Sequence, residues 1–486
     1  MVKISARIFT FIFVLISVTL STSFYGGKSP RVPDQTPCPQ QDFSTPENDA
    51  TAASPLWIRG FRGFFAVIPE PKLELCRFID VQPADDGGFV AAGYTQLFTY
   101  NPDHDYYEAL IMKINSFGEV VWKVLFPPDL NADTNLCGLN SLIRTKDGGY
   151  LAVGFISKGN GQSKVLLMKI ERAGMVKWIK SYGGNSLDSG YQAIENNDGG
   201  FTVAASTSSF QSQGTDIWIF KVNSYGDMIW QRALGTAMAD EPSSIQATPD
   251  GGSIVVGSSW NGYGRAFALR LNGNGTVKWY KTYFEAGYFN DHSYDSEFNS
   301  VVCEPNGTFI IAGKSGVACC DDQSNNKPWL LKLNSSGDLI WQRGINSEFS
   351  IPTDLIKTRD GGYFMTAYNA VYKIDAAGFT QWGRIYSNSN VGIGAVAVSQ
   401  KNDGGYLLVG ELWSSDKYYL LAMSLGPGAG TGSLNCGLAQ GASVGSWVPV
   451  ATFKPANYKI RQTKATVHRL TYTPYARSFT VRKICG

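Results

Sequence analysis

The sequence predicts an all-β chain assembled from one recurring four-stranded unit. Three observations predict it. A tight-turn phrase recurs, as "DDGG" at Asp86, then at Asp147, Asp198, Asp250, Asn306 ("PNGT"), Asp360 and Asp403, at spacings of 61, 51, 52, 56, 54 and 43 residues. A second phrase follows each of the first six turns, a glycine four residues ahead of a tryptophan: Gly118 and Trp122, Gly174 and Trp178, Gly226 and Trp230, Gly275 and Trp279, Gly337 and Trp341, Gly378 and Trp382. The composition agrees, since 53 glycines, 13% aromatic and 17% charged residues among 486 suit many short strands joined by turns.

Each Asp-Gly-Gly lies between apolar-alternating runs, the local signature of a tight hairpin. The second phrase, as in "LIMKINSFGEVVW" and "WIFKVNSYGDMIW", reads strand, turn, strand, with the glycine supplying a positive φ. One unit is therefore four antiparallel strands, and a period of this size marks a solenoid or a propeller. Seven Asp/Asn-Gly turns stand against six Gly-x-x-x-Trp strands, because the last unit stops at "YYLLAMSLGPG". The missing strand is at the other end, where "SPLWIRGF" around Trp57 matches "DLIWQRGI" around Trp341. The expectation is a seven-bladed β-propeller whose last blade is closed by the N-terminal strand, with Trp57 pairing near Tyr419 and no exposed sheet edge at the seam. The tryptophans read as packing wedges between blades. The recurring cation on the third strand (Lys113, Lys169, Lys221, Arg270, Lys332, Lys373) reads as a polar partner rather than a row of ligands.

Outside residues 55–425, the chain divides into three further segments. Residues 1–23 hold "MVKISAR" and a thirteen-residue apolar run, too short for the roughly 20 residues a bilayer span needs, and resemble a secretory signal cleaved after Ser23. No later segment is apolar enough to span a membrane as a helix, so an exported location is expected: extracellular, cell-surface or periplasmic. Residues 24–54 are a Pro/Ser/Thr-rich leader. Residues 426–486 are expected to form a small basic β extension bracketed by Cys436 and Cys485. From residue 424 onward there are eight Lys/Arg and no Asp/Glu; with +2 in residues 1–7 and +2 overall, the remaining body carries −8. That asymmetry makes the tail a candidate for holding an anionic surface, with docking on its own acidic body the competing use. Nucleic acid does not suit an exported protein.

Eight cysteines in the mature chain suit disulfides and not a metal site, since no CxxC is present. The candidates are Cys76 with Cys137, which hold equivalent places in adjacent repeats, the vicinal Cys319 and Cys320, and Cys436 with Cys485.

The units "DGGY…G…K-N-x-G-x-x-x-W" resemble those of the tryptophan-motif, PQQ-like β-propellers, and more closely the secreted bacterial propeller proteins of that kind, over residues 55–425. The resemblance implies the fold and little about activity, because function sits in sites grafted on folds. Vicinal cysteines as in "ACCDDQ" resemble those of quinoprotein alcohol dehydrogenases, but seven units depart from the eight blades expected there, and that family's cofactor ligands have no match. No cofactor is expected; calcium could sit among the Asp-rich loops, although no twelve-residue loop pattern is present.

All large length variation falls on the face opposite the tight turns, the usual place for binding. The binding candidates there are Asp103, His104, Asp105, Tyr106, Trp260, Tyr263, Asp291, His292 and Trp413, a mixture of aromatic faces and planar acceptors that suits sugars. "GASVG" at 441–445 matches a nucleophile pattern but lies in a glycine-rich β segment, so no catalytic residue is assigned. The function expected first is non-enzymatic binding of a glycan or a cell-surface protein. The alternative is an extracytoplasmic enzyme, quinone-dependent or a polysaccharide hydrolase or lyase, at the channel mouth. Convergent carboxylates with a basic residue would favour the enzyme.

Overall fold

The computed structural model describes residues 57–63, 76–98, 105–126, 136–158, 161–210, 214–236, 239–260, 264–285, 296–315, 327–345, 351–386, 391–414, 417–427, 439–441, 446–447, 451–455, 459–461, 466–469 and 479–485. They form four-stranded antiparallel sheets that resemble propeller blades. Six are continuous in sequence, at 76–126, 136–183, 188–235, 239–285, 297–345 and 354–386. The seventh combines Val391–Gln400, Tyr406–Ser414 and Lys417–Leu425 with the distant strand Trp57–Gly63, which pairs from Trp57 opposite Ser424 to Phe61 opposite Leu420. Sheets one and two are joined by a single parallel bridge, Tyr107 to Leu136.

The first hairpin of each sheet is written by its turn. In sheet two, Gly148 has φ +79°, while the amide of Gly149 donates to Asp147 Oδ1 at 3.0 Å. The second glycine is needed for a different reason. A Cβ at Gly149 would sit 2.3 Å from the Ile170 carbonyl oxygen and 2.7 Å from the Lys169 amine. That amine, on a side chain only 4% exposed, ion-pairs with Asp147 at 2.9 Å and donates to Thr145 Oγ1 at 3.0 Å. The third-strand cations thus all fold back on the first turn of their own sheet: Lys113 on Asp86, Lys221 on Asp198, Arg270 on Asp250 and Lys373 on Asp360. In sheet five the turn has Asn306, and the charge moves two residues back. Glu304 takes Lys332 at 2.7 Å and Lys357 at 2.8 Å.

Sheets join through apolar clusters that each span two neighbours. One packs Leu151, Val153 and Leu167 of sheet two on Phe201, Val203 and Trp218 of sheet three. Another packs Phe78, Phe89 and Leu110 of sheet one on Leu407, Val409 and Leu420 of sheet seven. The first strand of every sheet lies against that of the next, and Val391–Gln400 lies against Cys76–Pro83. The tryptophans act across the same joints. Trp230 lies under the turn of sheet four, where a Cβ on Gly275 would come within 2.7 Å of its ring; Trp279 lies under Gly337 and Trp341 under Gly378. Trp178 and Trp279 also donate Nε1–H to the turn carbonyls of Ser224 and Ser335, at 3.1 and 3.0 Å.

Two expectations are corrected. Cys137 does not bridge to Cys76. It is a free, buried thiol whose Sγ reaches the Phe126 carbonyl at 3.0 Å and accepts from the Ala109 amide at 3.3 Å. Burial pushes its pKa up to about 12, so it is held as a neutral thiol inside the joint between sheets one and two. Equivalent places in the repeat are not close places. Cys319, Cys320 and Cys436 lie outside the described residues, and Cys485 is described only as the end of a strand.

The basic tail does not build a sheet of its own either. Its strands are added singly as fifth strands to other sheets: Ala439–Gly441 to sheet six, Ser446–Trp447 to five, Ala451–Pro455 to four, Lys459–Arg461 to three and Thr466–Arg469 to two. Phe479–Cys485 then pairs with Trp57–Gly63. Edge strands present unpaired backbone groups, and these short additions cover the outer edge of each sheet they reach. Among the described residues, the outer strand of sheet one, Val120–Phe126, carries no fifth strand.

Two outcomes follow from the turns. Gly275→Ala and Gly199→Ala both place a Cβ at a positive φ, +78° and +76°, but only the first meets a tryptophan. Both should lose about 1–2 kcal/mol to backbone strain, and Gly275→Ala more, by the lost docking of Trp230. Equal losses in denaturant titration would remove the docking role. The second outcome concerns sheet five. Burial opposes ionisation of Glu304, but Lys332, Lys357, Thr308 and Tyr363 together lower its pKa from 4.5 to about 2. A depressed carboxyl stabilises above its unfolded pKa, and that stability disappears as pH falls from about 4.5 towards 2. Glu304→Gln should therefore destabilise at pH 7 but not at pH 2, and adding Asn306→Asp should recover part of the loss by restoring the ordinary pair with Lys332. No recovery in the double mutant would break the proposed equivalence.

Candidate functional site

On the face opposite the tight turns, sheets one, six and seven converge on one polar and aromatic group. It starts from a two-residue connection on that face. Ala367 and Ala370 pair directly, so Tyr368 and Asn369 alone make the turn. Tyr368 has φ +49°, and it is the only non-glycine residue with a positive φ among the described residues. A side chain with a Cβ is disfavoured there, and such strain persists only where surroundings impose it. Here the Ala395 amide donates to the Tyr368 carbonyl at 2.6 Å, tying the turn to the first strand of sheet seven.

That strand reads "VGIGAV", and its glycines make room. A Cβ on Gly394 would stand 3.0 Å from the Tyr368 ring and 3.1 Å from Glu411 Cγ; one on Gly392 would enter the indole of Trp413 at 2.0 Å. Glycine within a strand often marks such close approach. The Tyr368 hydroxyl donates to Glu411 Oε1, and the Tyr368 and Trp413 rings stack at 6.0 Å and 20°. Arg77, from the first strand of sheet one, lies 5.6 Å from the centre of the Tyr368 ring, and its strand partner Tyr94 meets Tyr107 edge-on at 5.4 Å.

Electrostatics fix the protonation of two members. Burial works most strongly against the charge of Arg77, which is 7% exposed, yet Glu411, Tyr94 and Tyr368 together outweigh it and the guanidinium pKa lies above its ordinary value. Its Nε finds no acceptor among the described residues. Burial, and then Glu411, raise the Tyr368 pKa, so its phenol keeps its proton throughout the physiological range. The group thus combines a charged arginine, a carboxylate 2% exposed, a phenol hydrogen-bonded to it and a stacked indole.

A second polar system lines the first strands. Asp80 accepts from the Leu142 amide at 2.8 Å and from Ser141 at 3.0 Å; Gln192 does the same for Ile245 and Ser244, at 2.8 and 2.9 Å. Asp354 accepts from the Val398 amide at 3.0 Å and from Ser300 at 3.2 Å. These side chains occupy the same repeat position and bind neighbouring sheets to one another, so their role is structural.

Of the residues expected at a binding face, Asp103, His104, Tyr263, Asp291 and His292 lie outside the described residues. Asp105 and Tyr106 are described as backbone only, paired with Phe98 and Leu97. Trp260 ends the second strand of sheet four opposite Gly264, away from this group. Among the described side chains of these candidates, Trp413 belongs to it. Arg77, Tyr94, Tyr368, Glu411 and Tyr418, the strand partner of Trp413, were not singled out, and the alternating glycines of "VGIGAV" were the signal that pointed there. No cluster of side chains able to hold a metal ion occurs among the described residues, and no described helix is long and apolar enough to cross a membrane.

No protein-family model matches the chain, and no curated protein matches it. Among solved structures, it is similar to Sqt1 from Chaetomium thermophilum (11% identity, TM-score 0.40, covering 78% of this chain and 90% of that one). It is also similar to polysaccharide lyase Uly1 (10%, 0.41, 74% and 91%) and to an α-L-arabinanase of Penicillium chrysogenum complexed with arabinobiose (11%, 0.40, 77% and 98%). At these scores the likenesses carry no argument about activity.

The first-strand system has a pH signature. Burial is the main cause that raises the Asp80 pKa to about 7, with Asp354 adding to it against the hydrogen bonds from Leu142 and Ser141. A raised carboxyl contributes stability below its unfolded pKa, near 4, that is lost as pH rises through 7. Asp80→Asn should therefore raise the melting temperature at pH 8 and leave it unchanged near pH 4; an equal shift at both values would show that Asp80 is not the titrating group.

Proposed function

We propose that the chain is an exported, closed seven-bladed β-propeller that acts on a polysaccharide, with Tyr368, Glu411 and Arg77 as its centre. Closure is supported by the pairing of Trp57–Gly63 with Lys417–Leu425 and by the apolar cluster between sheets one and seven. The observation that carries the activity is Tyr368 itself: a tyrosine held at φ +49° with its hydroxyl on a buried carboxylate beside a buried arginine. A phenol that donates a hydrogen bond to a carboxylate supplies the parts of an acid–base step. Tyr368, the half-buried member, is the one that reaches substrate; Glu411 takes up or returns its proton, and Arg77 steadies negative charge. Trp413 and Tyr418 offer sugar-stacking faces beside it.

Non-enzymatic glycan binding is the second reading, favoured by the stack of Tyr368 on Trp413 and by the depth of Arg77 and Glu411. The basic residues of 424–486 bear on it too. The described tail strands are spread over six sheets, so any attraction to an anionic surface would belong to the whole perimeter.

The test is a polysaccharide panel, neutral and uronate-containing, read by new reducing ends and by the ultraviolet absorbance of unsaturated uronates. Cleavage is expected, with Tyr368→Phe and Glu411→Gln each lowering kcat/KM by about 10²–10⁴-fold. Retention on the same polymers without cleavage, lost in Trp413→Ala, would replace the enzyme reading with the binding one. No cleavage and no retention would remove both.

A further inference from the structure

Three Asn-x-Ser/Thr triplets occur on the tight-turn face, all in sheets four and five: Asn274-Gly-Thr276, Asn306-Gly-Thr308 and Asn334-Ser-Ser336. Such triplets are acceptors for N-linked glycans in exported proteins. We propose that Asn274 and Asn306 are glycosylated and that Asn334 is not.

The three asparagines differ in what their amide nitrogens do. Asn274 is exposed at the turn between the third and fourth strands of sheet four. Its Oδ1 accepts from the Thr276 amide at 3.1 Å and from the Thr276 hydroxyl at 2.7 Å, while its Nδ2 donates to no described residue. Asn306 is exposed at the first turn of sheet five and repeats the arrangement, with Thr308 N at 3.1 Å and Thr308 Oγ1 at 2.8 Å from Oδ1. Both side chains fold the oxygen inward on the threonine and leave the nitrogen to solvent. Asn334 is only half exposed and is used up. Its Oδ1 accepts from the Ser336 and Asp338 amides, both at 2.9 Å, and its Nδ2 donates to Asp338 Oδ2 at 3.1 Å. A sugar on that nitrogen would displace the carboxylate that also pairs with Lys281.

The ion-pair pattern gives Asn306 an independent reason. At the other tight turns this position is an aspartate bonded to a cation. Only sheet five has a neutral residue there, and Glu304 has taken over both Lys332 and Lys357. The turn has been relieved of its electrostatic duty at the one place where its residue is a glycan acceptor.

The reaction needs a polyprenyl-diphosphate-linked oligosaccharide as donor. Nδ2 forms a bond to C1 of the terminal sugar, the C1–O bond to the diphosphate breaks, Nδ2 releases a proton, and the lipid diphosphate leaves. No oxidant or reductant takes part. Two glycans would crowd the tight-turn face at sheets four and five and leave the opposite face, with Tyr368 and Glu411, unobstructed.

The experiment is secretion of the full chain from a eukaryotic host, once with its own N-terminus and once with a foreign signal ahead of Phe24. An amidase that releases N-glycans and converts their asparagines to aspartate then allows the sites to be mapped by mass. Conversion is expected at Asn274 and Asn306 and not at Asn334; Asn274→Gln and Asn306→Gln should each remove one glycan increment in mobility, and Asn334→Gln none. Secreted protein with Asn274 and Asn306 unconverted would overturn the proposal, as would occupancy of Asn334 equal to theirs. Because the foreign signal supplies export, failure of the chain's own N-terminus to direct secretion is read separately.

Discussion

A cation folded back against the first turn of its own sheet is the constraint around which the repeat is organised. A buried amine is costly unless a carboxylate and further acceptors meet it. Lys169 needs Asp147, the hydroxyl of Thr145 and a second glycine with no Cβ to obstruct it, so one interaction dictates three positions of the turn. The two sheets that depart from the pattern keep the physics. Sheet five moves the carboxylate to Glu304. Sheet seven has Ser424 where the lysine would be, opposite Leu407 as Lys169 is opposite Leu151, and Lys401 pairs with Asp403 at 3.0 Å instead.

The tryptophan joints work at the same end of each sheet, under the second tight turn. Ion pair and indole together therefore make the tight-turn face the fixed end of every unit. The other ends of the strands are free to differ, and there the connections range from the two residues Tyr368 and Asn369 to long loops. A strained tyrosine with a buried carboxylate and arginine sits where one repeat gives up length and its neighbours close over it.

The repeated turns, the seven units and the return of the Trp57 strand were legible because each is a local pattern that recurs. The strand around Trp57 could be matched by its own residues without knowing its partner. The tail was not legible in this way. Ser446–Trp447 and Lys459–Arg461 are too short to show alternation, and each owes its conformation to a sheet edge far earlier in the chain, Gly344–Ile345 and Ala233–Gly235. The site was hidden for a related reason. Arg77, Tyr368 and Glu411 come from three sheets, and length variation draws attention to long loops, whereas this group assembles over a turn of only two residues. Cys76 and Cys137 show the converse error, since matching repeat positions are related by a rotation between sheets and not by contact.

Sheet seven takes its strands from the first, the late and the last described parts of the chain: Trp57–Gly63 lies between Lys417–Leu425 and Phe479–Cys485. During synthesis, sheets one to six can form in order as they emerge, but the strand that leads the domain has no partner until residue 425 is made and no outer neighbour until residue 485 is made. That sheet is thus completed only after the strands of the other six have been made. Until residues 479–485 are made, Trp57–Gly63 keeps one edge unpaired, and for that interval the sheet is open to pairing with another chain.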